Sequence, residues 1–108
     1  MIQRFVKATL RGVKFALENE EEALDIILEF APMEEREHQR FMLRQELGDA
    51  RSALTNERGL GAMTAAQWQA LHDHLIAYDA LPISVDVATV FDDRFVSPAY
   101  DGPELRWP

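Results

Sequence analysis

Glu35-Arg36-Glu37-His38 contains the spacing Glu-x-x-His, and His72-Asp73-His74 sets two imidazoles around a carboxylate. On a helix the first spacing puts a carboxylate and an imidazole on one face, as in di-iron four-helix bundles. Such sites need the motif twice, with further glutamates. Gln69 stands three residues before His72 and Leu71 three before His74, so there is no second copy. A surface ion pair is the simpler outcome for Glu35 and His38. Side chains two apart on a helix point away from each other, so one of His72 and His74 must face solvent. No metal site and no cofactor is expected. Nor is an enzyme, because nothing in the chain assembles a nucleophile with a base.

Gly59-Leu60-Gly61-Ala62-Met63, followed by Trp68, is the other pattern with a physical demand. It is too short for a phosphate-binding loop, which needs more glycine and a lysine. Its glycines allow backbone angles closed to other residues. That permits a tight connection in which Leu60 and Met63 lie against neighbouring helices. Thr64 can cap the helix that follows. Met63 and Trp68 could line a pocket, but they read first as core, and Phe91 joins them as a structural residue.

The elements that must position these residues read as all-α, with four main helices. The first starts almost at Met1. Ile2, Phe5, Val6, Thr9, Val13, Ala16 and Leu17 share a face, and Arg4, Lys7, Arg11 and Lys14 lie opposite. Phe15 sits beside the basic stripe. Asn19, with Glu22 three residues on, suits a capping box for a second helix that ends at Pro32. The third runs from about Met33 to Leu54, with Leu43, Leu47, Ala50 and Leu54 as its stripe. Phe41 and Met42 point elsewhere, and Gly48 marks a close crossing. The fourth runs from about Ala65 to Tyr78, with Trp68, Leu71, Leu75 and Tyr78 at steps of three and four. A short helical turn over Val87 to Phe91, capped by Asp86, comes next. Residues 1–97 read as the helical domain. Residues 98–108, with Pro98, Gly102, Pro103 and Pro108, read as a loop-like tail.

The chain has 108 residues, no cysteine and a formal net charge of −8. That charge argues against nucleic acid as a partner. No apolar run approaches ~18 residues, so no membrane span is expected. The basic residues of the first helix interrupt any signal-like apolar stretch. As it stands the chain would be cytoplasmic. Cut from a longer exported protein, it would be periplasmic or extracytoplasmic.

Taken in order, several segments carry a resemblance. Arg4 to Gly12 leads to Ala16 and then Asn19-Glu20-Glu21-Glu22-Ala23. A charged helix follows, then Gly59-Leu60-Gly61-x-Met63, Trp68, Val85-Asp86, Val90-Phe91 and Phe95. This resembles the C-terminal helical region of ABC-importer solute-binding proteins, in the branch of thiamine-pyrimidine-precursor, nitrate and alkanesulfonate binders. It covers nearly the whole chain except the last dozen residues, and departs from the family at Val13 and Ala62, where larger aromatics are common.

The resemblance implies a fragment of a two-lobed periplasmic-binding-protein fold. It implies a non-enzymatic relative of a small-solute importer, with an ABC permease as partner if the chain is part of a longer protein. No ligand-binding residue carries over, because the ligand loops of that family lie outside the match. Helices that normally cover a sheet leave an apolar face, so a homo-oligomer is expected. Phe5, Val13, Phe15, Phe41 and Met42 are the candidate contacts. The alternative is a stand-alone helical interaction module that docks through the basic stripe and Phe15.

Overall fold

In the computed structural model, which describes residues 1–108, apolar residues three and four apart draw the chain into five α-helices. They are α1 (Ile2–Glu18), α2 (Glu20–Phe30), α3 (Arg36–Asp49), α4 (Ala53–Arg58) and α5 (Ala65–Ala77). Single 3₁₀ turns follow at Val87–Thr89 and Ser97–Ala99. The chain closes with antiparallel β1 (Tyr100–Asp101) and β2 (Glu104–Leu105), Tyr100 opposite Leu105 and Asp101 opposite Glu104. The class is all-α, apart from this one short hairpin.

Three local expectations change. The helix expected over residues 33–54 is two helices, so there are five rather than four main ones. Ser52 restarts the chain: its Oγ accepts the Thr55 N–H at 3.3 Å, and Thr55 Oγ1 accepts the Ser52 N–H at 2.8 Å. Such short polar side chains offer the backbone bonds that compete with an unbroken helix. The box expected at Asn19 and Glu22 does not form; the Asn19 amide instead donates to the Phe15 carbonyl at 3.0 Å. Gly48 marks no crossing, since a Cβ added there would meet nothing within 4 Å. By contrast Thr64 caps α5 with Gln67 as partner, and Asp86 caps the Val87–Thr89 turn.

The largest change concerns residues 98–108. They are not a loose tail: Ala99 is fully buried and Tyr100 nearly so, in a core cluster with Leu10. Val6, Leu60, Val96 and Leu105 pack around it. Leu10 lies outside the stripe expected for α1, and becomes its buried residue because the hairpin covers it. The two glycines serve this cluster. Gly59 has φ 94° and ψ 162°, a region open essentially only to glycine, and an added Cβ would fall 2.4 Å from the Tyr100 ring. Gly61 has φ 83°, but a Cβ there would meet Leu10 and Val96 only at 3.5 Å.

Burial is sparse elsewhere. Leu24 and Ala23 of α2 are buried, and no residue of α3, α4 or α5 is. The radius of gyration is 16.6 Å, against about 13 Å for a globular chain of this length. The accessible surface is 8073 Å², against about 6,100 Å² for a folded monomer of this mass.

Gly59→Ala is expected to destabilise the chain by about 2–5 kcal/mol, from backbone strain plus overlap with Tyr100. Gly61→Ala should cost only about 1–2 kcal/mol, since strain acts there without overlap. Urea unfolding of the two variants checks the ordering.

Candidate functional site

Two arrangements of polar side chains stand out, together with one apolar groove. The first joins α2 to α3. Arg36, Arg40 and Arg44 repeat every four residues and so form one row along α3. The acidic first turn of α2 faces them. Arg36 bonds Asp25 at 2.7 Å and Glu21 at 2.9 Å. Arg40 bonds Glu20 at 3.0 Å and also Glu21, and Arg44 bonds Glu20 at 2.7 Å. Only Arg40 is largely covered, at 16% side-chain exposure. The Arg40 guanidinium, with Arg36 behind it, pulls the Glu21 carboxyl down to about 2. Hydrogen bonding to Arg44 lowers that of Glu20. These carboxylates are occupied, so the row is a clasp between helices. Arg36 and Arg40 take part in it, while Glu35 stays outside the helix and forms no ion pair with His38.

The second arrangement centres on His72, whose side chain is only 10% exposed. Its Nε2 accepts the Val85 N–H at 3.2 Å and faces Ser84 Oγ at 3.3 Å. An accepting Nε2 puts the proton on Nδ1, which donates to Asp73 Oδ1 at 3.0 Å. Gln69 donates to the same oxygen at 2.8 Å. The His72 bond, followed by that from Gln69, lowers the Asp73 carboxyl. His72 therefore pins the segment after α5 back onto the helix, whereas His74 stays exposed. No three His, Asp or Glu side chains converge as a metal-ligand set.

This pin shapes the groove. Trp68 stacks on Phe91 with centroids 5.7 Å apart and planes 6° from parallel, and its Nε1–H points to Met63 Sδ at 3.3 Å. Beside them Leu71, Leu75, Val85 and Val90 line an open apolar hollow of about 170 Å³. The motif residues thus divide between two places. Met63, Trp68 and Phe91 meet at this groove, and Gly59, Leu60 and Gly61 meet at the Tyr100 cluster. Burial pushes the Tyr100 phenol above its ordinary value, with the Leu60 backbone acting in the opposite sense.

A further hollow of about 250 Å³ lies between α1, α4 and the hairpin. Lys14 on its wall is engaged by Glu18 and Glu104 at 3.7 and 3.9 Å. Arg11 lies over the Trp107 ring at 4.3 Å, next to Phe15. Of the expected contact residues, Phe5, Phe15, Phe41 and Met42 are exposed and Val13 is half-buried. One of the two histidines does face solvent, His74, but the role of His72 and that of Tyr100 were not legible. Each depends on a neighbour far along the chain.

No family model matches the chain, and no solved structure does. Riboflavin-binding protein RibY of Chloroflexus aurantiacus is 32% identical to it over 99 residues. That stretch is 89% of this chain and 28% of RibY, so the chain spans little more than a quarter of the relative it matches.

Two outcomes follow for the two polar arrangements. The carboxylates of the clasp have lowered values, so their stabilisation is present above about pH 4.5 and is lost as pH falls towards about 2. Acid titration followed by circular dichroism should show this loss, and Arg40→Ala should shrink it more than Arg44→Ala does. His72→Ala should cost about 1–2 kcal/mol. It should also speed amide exchange over residues 85–91 while leaving α1 to α3 unchanged.

Proposed function

We propose that this chain is the helical part of a small-solute-binding protein of the ABC-importer type, without enzymatic activity of its own. One observation carries the reading: the similarity to a riboflavin-binding protein, over nine-tenths of this chain and a quarter of that one. The ordered resemblance of residues 4–95 to solute-binding proteins supports it independently. So does the open shape. Helices built to cover a sheet keep apolar faces that their own chain does not bury, and about 2,000 Å² of surplus surface fits that role.

On this reading the chain is a fragment of a two-lobed fold. The strands and loops that would hold the solute are not among these 108 residues, whose only strands are two residues long. Riboflavin, or a related planar heterocycle, is the first solute to test. Within a longer exported protein the partner is an ABC permease. On its own, the chain hides its faces by self-association.

A chimera in which this chain replaces the matching segment of RibY tests the proposal. It should fold and quench flavin fluorescence with affinity within about tenfold of the parent, a difference of about 1.4 kcal/mol. This chain alone should show no rise in Tm with riboflavin. A chimera that fails to fold, or folds without quenching, counts against the reading.

A further inference from the structure

The α5 groove combines an open apolar wall with an excess of nearby aspartates. Leu71 and Val90 on that wall are 50% and 52% exposed. From Thr64 to Asp93 the chain carries five aspartates (73, 79, 86, 92 and 93) and no lysine or arginine; Arg94 pairs with Asp92 at 2.6 Å, and the other four have no lysine or arginine partner. The first turns of α1 are the opposite. Ile2 and Phe5 are 55% and 72% exposed, and no acidic residue occurs before Glu18. Arg4 has no carboxylate partner, and Lys7 donates to the Pro108 backbone oxygen at 2.9 Å. One molecule therefore presents a basic apolar helix end and an acidic apolar groove, both uncovered.

We propose that a second copy of this chain fills the groove with the first two turns of its α1, Ile2 and Phe5 entering it while Arg4 and Lys7 face the aspartates. Exchanged reciprocally, the contact closes a two-fold dimer. A standard interface takes about 800 Å² from each partner, well within the surplus surface. Opposite charge selects this pairing over groove on groove or helix end on helix end, which would set like charges together. The inference rests on the reading that these faces are made to be covered, and it names which two meet.

Sedimentation of the full chain at high micromolar concentration should show a dimer. Phe5→Glu and Leu71→Glu should each weaken it by more than about tenfold, while leaving circular dichroism unchanged because both side chains are exposed. The chain has no cysteine, so Phe5→Cys and Leu71→Cys variants can be mixed and treated with a short bis-maleimide. The mixed product should dominate over either like pair. A dimer that keeps its affinity in both glutamate variants, or that cross-links only like positions, overturns this docking mode while self-association stands. A wild-type monomer overturns both, and leaves the solute-binding reading to the chimera.

Discussion

The Tyr100 ring lies on the bare backbone of Gly59, and the architecture of the chain depends on that approach. It brings the C-terminal hairpin onto α1, where Ala99 and Tyr100 cover Leu10. Any side chain at position 59 would occupy the space of the ring. The cluster so formed joins Leu10 to Tyr100, ninety residues on, and it is the most buried tertiary cluster in the molecule. α4 runs from the restart at Ser52 to this contact.

The remaining attachments lie near the surface. α2 and α3 meet through a row of arginines and carboxylates. The segment after α5 returns through one histidine and the stacked pair Trp68 and Phe91. Exposed ion pairs contribute little each and are screened by salt. A molecule joined this way has its parts positioned without being deeply buried. That is the property expected of helices whose main packing partner is another surface.

Several features were legible in the residues. The helical class, the α5 cap at Thr64, the turn capped by Asp86 and the need for glycine near position 59 each arise from residues a few positions apart. Others were misread for the same reason. Ser52 breaks the expected third helix through a bond pattern that competes closely with continuation. Asn19 caps by position only, because the Phe15 carbonyl is nearer at hand. Pro98, Gly102 and Pro103 mark irregular backbone correctly, but irregular backbone can still be buried.

Sequence alone determined what local periodicity determines: where helices form, which residues share a face, and that one stretch must have glycine. Only the tertiary structure decided which apolar residues are inside. Leu10 and Phe5 are both apolar residues of α1, yet a distant hairpin covers one and nothing covers the other. His72 and His74 differ in the same way, since Val85 returns to only one of them. Burial and hydrogen bonding are properties of pairs, and the partner in each case lies too far along the chain for spacing to reveal it.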